Sequence, residues 1–172
     1  MMNSSHASTL PREHGSGYRD SVPGRAAQLL ARGPARVKSP AARWAVNALA
    51  VIGAALLVWS GVIHLQLWSD GYRSIAVIGP LFLIQGVAGI ALAVVLAVFR
   101  RVVLMAAGAV MMAATAAGLL LSAGIGLFGF QESLAVPYAM SSLVVEFAGA
   151  AVLAAASAIL LAAGPGSRPV RR

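Results

Sequence analysis

The chain has 172 residues, of which 59% are hydrophobic and only 10% are charged. A soluble domain carries about a quarter charged residues, so this composition points to lipid as the main solvent of a single domain. The absence of cysteine excludes disulfides, thiol redox chemistry and thiolate metal sites within the chain.

The positive charge is concentrated at the ends of long apolar runs. Seven of the 13 basic residues precede the first run, two form the Arg100-Arg101 pair, three lie within residues 168–172, and Arg73 stands alone. Alternate clustering of this kind is what the positive-inside rule produces. We therefore do not expect nucleic acid as a partner, in spite of the net charge of +8.

The chain begins with a segment that has no sustained apolar period. Residues 1–40 are rich in Ser, Gly, Pro and Arg. Such a composition buries too little apolar surface to offset the entropy of ordering, so we predict a disordered basic tail. Residues 165–172 are predicted to form a second, shorter basic tail.

Four apolar runs follow, each long enough to cross a hydrocarbon core of about 30 Å. The membrane domain is predicted over residues 41–164, with spans near 44–67, 75–99, 102–127 and 137–163. Short connections make neighbouring spans antiparallel, so the predicted fold is an all-α, up-down, four-helix transmembrane bundle. The basic segments then share one side, which predicts a multi-pass protein of the inner (plasma) membrane with both termini cytoplasmic.

Two spans carry small residues at every fourth position, where another helix backbone can approach closely. In the third span the row is Ala114, Gly118, Ser122 and Gly126. In the fourth span Glu146 heads the row Ala150, Ala154 and Ala158. We expect both rows to face neighbouring helices, with Glu146 turned away from lipid.

Polar groups inside spans are costly and usually face protein or water. Counting at about 1.5 Å per residue places His64, Gln85 and Glu146 in the half of the spans that lies away from the basic tails. We predict that they surround a ligand or proton pocket, with Ser60 and Ser122 as contributors. Alternatively, they serve only packing, through interhelical hydrogen bonds worth about 0.6–2 kcal/mol, or they never meet.

The turn after the first span carries Trp68, Asp70, Tyr72 and Arg73. Aromatic rings at the end of a span are typical of the membrane interface. Arg73 is expected to pair with Glu132 in the other connection on that side, rather than to draw an anion toward the pocket.

Several chemistries lack candidate residues. The chain has no glycine-rich phosphate loop and no nucleophilic triad, so we assign no catalytic residue and do not expect an enzyme. The spans contain one histidine and no cysteine, which are too few ligands for us to predict a catalytic metal site. Because His6 and His14 lie in the tail, haem ligation by two histidines would need His64 from two copies.

Residues 61–85 read GVIHLQLWSDGYRSIAVIGPLFLIQ. This stretch resembles a family of small four-span membrane proteins of actinobacteria. The shared elements are His64-Leu65 and Trp68 in a His-Leu-x-Leu-Trp pattern, Gly71-Tyr72-Arg73, and Ile78-Gly79-Pro80-Leu81-Phe82. The resemblance covers about residues 44–163 and implies the four-span fold and a bacterial inner membrane, but no activity.

Three roles remain. The sequence alone favours an accessory or structural membrane subunit, with the bilayer and a homo-oligomer or membrane complex as partners. The alternative is a binder of a small lipophilic or protonatable, quinone-like ligand. The third is a small oligomeric transporter, which the sparse polarity of the other half of the spans disfavours.

Overall fold

The computed structural model describes residues 24, 27–28, 31–135 and 137–163. These residues form four long helices, α1 (Pro40–Ser69), α2 (Ile78–Phe99), α3 (Val102–Ile125) and α4 (Ala139–Ala162). Short 3-10 turns occupy Pro34–Arg36 and Tyr72–Ser74. The prediction of an all-α four-helix bundle is confirmed.

All four helices are long and apolar enough to cross a membrane, which is compatible with a multi-pass membrane protein. Their bounds lie close to the predicted spans. The helix α1 begins earlier, at Pro40, because the Ser39 hydroxyl accepts the Ala42 N–H at 3.4 Å and proline suits a first helical turn. The helix α2 begins later, at Ile78, because the Tyr72–Ser74 turn occupies the residues before it.

The four helices form a ring in which three neighbouring pairs pack closely and one pair does not. The pairs α1–α2, α3–α4 and α1–α4 pack extensively, whereas α2 and α3 touch each other only sparsely. We call the junction between α2 and α3 the α2–α3 seam. The closest approach of α1 and α2 depends on two glycines, since a Cβ on Gly61 would lie 2.9 Å from the Gly86 carbonyl oxygen.

Apolar core and buried polar groups occupy different halves of the bundle. The arginine end is where α1 begins, Arg100-Arg101 joins α2 to α3, and α4 ends; the loop end holds the connections at residues 70–77 and 126–138. Core side chains fill the arginine end and the middle: Val46, Leu57, Leu96, Met105, Met112, Leu153 and Leu160. Most of the buried polar side chains lie toward the loop end: Ser60, His64, Ser122, Ser142 and Glu146.

The end of the predicted disordered tail is packed against the arginine end. Val37 is buried in the core, and so is most of the Arg32 side chain. The Arg32 guanidinium donates to the Leu161 carbonyl oxygen at 3.1 Å, and the Val102 N–H donates to the Arg32 carbonyl at 2.8 Å. The prediction of disorder is therefore wrong for residues 31–39. Most of residues 1–30, and the predicted tail at 165–172, lie outside the described residues.

Candidate functional site

A cavity of about 290 Å³ lies at the loop end, among all four helices and both connections. Its volume is at the lower limit of ligand pockets, which begin near about 300 Å³. Apolar side chains make most of the wall: Leu67, Ile78, Leu81, Phe82, Met111, Leu119, Leu127 and Phe130. The polar side chains in the wall are His64, Tyr72, Gln85, Thr115, Ser122, Glu132, Ser142 and Glu146.

The centre of the polar wall is the carboxyl group of Glu146, which has no exposed surface. Its Oε1 accepts the hydroxyl of Ser142, one turn earlier in α4, at 2.8 Å and that of Ser60 in α1 at 3.5 Å. His64 Nε2 lies 3.8 Å from the same oxygen. Among the described residues nothing hydrogen-bonds Oε2, although this atom is buried. The carboxyl group therefore has one hydrogen-bonded oxygen and one buried oxygen without a partner among the described residues.

The ring of His64 has a defined tautomer. Its Nδ1 lies 2.8 Å from the Ser60 carbonyl oxygen, which can only accept, so Nδ1 carries the proton and donates. In the neutral ring Nε2 is then an acceptor. The ring packs edge-on against Phe82, with centroids 5.2 Å apart and planes at 70°. One hydrogen bond and one aromatic contact thus hold Nε2 in the cavity wall.

The face of α4 that carries Glu146 differs from the predicted one. The buried row continues through Gly149 and Leu153, whereas Ala154 and Ala158 are exposed. Gly149 belongs in this row because a Cβ there would overlap the Met112 side chain. The prediction that Glu146 faces the bundle was right, but the row assigned below it was wrong.

Gln85 lines the cavity without meeting the other two predicted residues. Its amide donates to the Thr115 hydroxyl in α3, at 2.5 Å, and that hydroxyl donates to the Met111 carbonyl at 2.8 Å. Thr115 was not predicted as a site residue. Its signal in the sequence is a hydroxyl within a span made almost wholly of Ala, Gly, Leu and Met.

The small-residue row of α3 faces the cavity instead of a neighbouring helix. Ala114, Gly118 and Ser122 all line it, and a Cβ on Gly118 would meet no atom within 4 Å. The predicted close helix approach is therefore wrong for this row. Ser122 donates to the Phe130 carbonyl at 3.4 Å and so ties α3 to the following connection.

Tyr72 roofs the cavity at the loop end. Its ring stacks on Phe82 with centroids 5.0 Å apart and lies edge-on to Phe130 at 5.8 Å. Its hydroxyl donates to Glu132 Oε2 at 2.8 Å, which joins the two connections. Burial raises the pKa of Tyr72 above its ordinary value, and the hydrogen bond to Glu132 and the charge of that carboxylate add to the effect.

The remaining predicted turn residues lie outside the cavity wall. Trp68 is half-buried, while Asp70 and Arg73 are exposed. No ion pair between Arg73 and Glu132 is found in the part of the chain that the structure describes, and the Glu132 carboxylate instead accepts the hydroxyl of Tyr72. That predicted pair is wrong.

The described residues include no group of three or more His, Cys, Asp or Glu side chains placed to hold a metal ion. Comparison with family models, curated proteins and solved structures finds no match to this chain.

Proposed function

We propose that this protein binds a small lipophilic molecule in the membrane and holds its polar head group in the cavity. The observation that carries the proposal is the Glu146 carboxyl group, which is fully buried in a mostly apolar wall with Oε2 unpartnered among the described residues. An unmet polar atom in such surroundings costs about 1–3 kcal/mol, and a ligand that satisfies it recovers this free energy.

The chemistry of the wall defines the head group. Since two serine hydroxyls donate to Oε1, a protonated Glu146 carries its proton on Oε2 and donates from there. The neutral His64 ring accepts at Nε2. A hydroxyl of the ligand can therefore donate to Nε2, and a carbonyl or hydroxyl oxygen of the ligand can accept from Oε2. A quinone or quinol, which offers carbonyl or hydroxyl groups on a compact ring, fits these donors and acceptors.

The proposal includes an orientation. Among the described residues, the arginine end carries six basic side chains and the loop end carries one, Arg73. The six are Arg32, Arg36, Lys38, Arg43, Arg100 and Arg101. The positive-inside rule then assigns the arginine end to the cytoplasm and the cavity to the outer half of the membrane. The resemblance to actinobacterial four-span proteins supports a bacterial inner membrane.

The test is to identify what co-purifies with the protein. Wild type, His64→Ala, Glu146→Gln and Ser157→Ala are purified in mild detergent, and their lipophilic extracts are compared by absorbance and mass spectrometry. Ser157 is the matched control, because it is buried on α4 toward the arginine end and donates only to the Leu153 carbonyl. We expect a bound molecule that is present in wild type and Ser157→Ala and depleted in both site variants.

Equal extracts from all four proteins would refute the proposal. If His64→Ala and Glu146→Gln then lowered the thermal stability, the polar cluster would be a packing device, and the role of accessory or structural subunit would be the better one. A transporter that works as an oligomer would instead require both a bound substrate and a second polar region toward the arginine end.

A further inference from the structure

The cavity is closed more firmly at its top than at its side. At the top, Tyr72 lies against Phe82 and Phe130, and its hydroxyl is bonded to Glu132. The connection after α3 is itself braced, since Leu127 and Phe130 exchange two backbone hydrogen bonds of 2.7 and 2.9 Å. A ligand that enters along the bundle axis would have to displace this aromatic and hydrogen-bonded roof.

The side of the cavity at the α2–α3 seam is built differently. The helices α2 and α3 have few mutual contacts, although both supply wall residues. On α3 the cavity wall includes Ala114 and Gly118 beside the larger Met111 and Leu119, and Gly118 has open space where a side chain would begin. On α2 the wall includes Leu81, which is 43% exposed. The sparse contacts, the open space at Gly118 and the exposed Leu81 point to an apolar opening from the cavity to the lipid-facing surface at the seam.

The lower edge of this opening is marked by the hydrogen bond from Gln85 to Thr115. It bridges α2 and α3 toward the middle of the bundle, beneath Gly118 and on the far side of the cavity from Tyr72. The opening thus lies between this bridge and the two connections. Glu146 and His64 lie on the opposite wall, on α4 and α1.

We propose that the ligand is a single-chain amphiphile, whose head group lies against Glu146 and His64 and whose hydrocarbon chain leaves through the α2–α3 seam into the lipid. A cavity of about 290 Å³ takes a ring-sized head but not a long chain as well. Lipid is a solvent in which the chain needs no protein contacts. This inference rests on the proposed function and adds the class of ligand and its route of entry.

The test uses two probes with one head: a benzoquinol without a chain and the same benzoquinol with a decyl chain. Binding is measured in lipid nanodiscs, with probe concentrations expressed per volume of lipid. Gly118→Leu narrows the seam, and Gly124→Leu is the matched control, because Gly124 is on the same helix, has equally open surroundings and does not line the cavity. Thermal unfolding of each variant checks that it is folded.

We expect Gly118→Leu to weaken binding of the decyl probe about tenfold more than binding of the chainless probe, with Gly124→Leu like wild type for both. If Gly118→Leu is unfolded, Ala114→Leu replaces it with the same expectation. Unchanged binding of both probes, or equal loss of both, would overturn the seam route while leaving the site at Glu146 in place. If wild type binds neither probe and co-purifies no lipophilic molecule, the proposed function fails and this inference fails with it.

Discussion

His64 and Glu146 meet across α1 and α4, with Nε2 of the imidazole 3.8 Å from Oε1 of the carboxyl group and both side chains buried. This distance is too long for a direct hydrogen bond. Ser60 supports both, since its carbonyl accepts from His64 and its hydroxyl donates to Glu146.

The first prediction concerns the energetic coupling of this pair. A double-mutant cycle of His64→Ala and Glu146→Ala, followed by thermal unfolding in detergent, should give an interaction free energy of about 0.6–1.7 kcal/mol, as for other contacts between membrane helices. His64→Ala combined with Ser157→Ala is the control, and the changes in free energy of unfolding of these two substitutions should add within about 0.5 kcal/mol. Full additivity of His64→Ala and Glu146→Ala would mean that the two side chains do not interact.

The second prediction contrasts two glycines that look alike in the sequence. Gly61→Ala should destabilise the bundle by about 1–3 kcal/mol, because its Cβ would press against the Gly86 carbonyl oxygen and force α1 from α2. Gly118→Ala should be neutral or stabilising by up to about 1 kcal/mol, since its Cβ meets open space and alanine favours a helix. Thermal unfolding of both variants is the measurement. Equal destabilisation by the two would contradict the assignment of Gly118 to the cavity.

The bounds of the helices and the depth of the polar residues could be predicted from the sequence. Hydropathy and length predicted four helices within a few residues of their bounds, because each span must satisfy its backbone internally. The sequence also placed His64, Gln85, Ser122 and Glu146 near one another in depth, and all four line one cavity. Depth follows from the rise per residue, so these features need no knowledge of the packing between helices.

Pairing between helices could not be predicted in this way. A row of small residues suits a close helix contact and a cavity wall equally well, and Gly118 lies in a cavity wall. Gln85 bonds to Thr115 because α2 lies beside α3 at that depth in the bundle. This depends on how α2 and α3 are placed at the α2–α3 seam. Tyr72 covers the cavity instead of facing lipid because Phe82, Phe130 and Glu132 together supply its contacts.

The third prediction tests the proposed orientation. The chain has no cysteine, so a single introduced thiol reports one position without interference. Ser133→Cys, at an exposed site of the loop end, should react with a membrane-impermeant maleimide in intact cells. Lys38→Cys, exposed at the arginine end, should react only after the membrane is opened. The reverse pattern would place the cavity in the cytoplasmic half of the membrane and contradict the proposed topology.

The fourth prediction concerns stability at alkaline pH, and it follows from the hydrogen bond between Tyr72 and Glu132. A phenol is charged only after it loses its proton, and the pKa of Tyr72 is raised in the folded protein, chiefly by burial and further by Glu132. Its contribution to stability is therefore complete below the unfolded-state pKa of about 10 and is lost as the pH rises from there toward the higher folded-state pKa. Tyr72→Phe keeps the ring that stacks on Phe82 but has no proton to lose, so its free energy of unfolding should fall less steeply in this window.

Near neutral pH the same variant should be less stable by about 1 kcal/mol, because it lacks the hydrogen bond to Glu132. Denaturation followed by circular dichroism over a series of alkaline pH values measures both effects, with Ser133→Ala as an exposed control in the same connection. Parallel profiles for wild type and Tyr72→Phe would show that the hydroxyl does not hold the roof of the cavity.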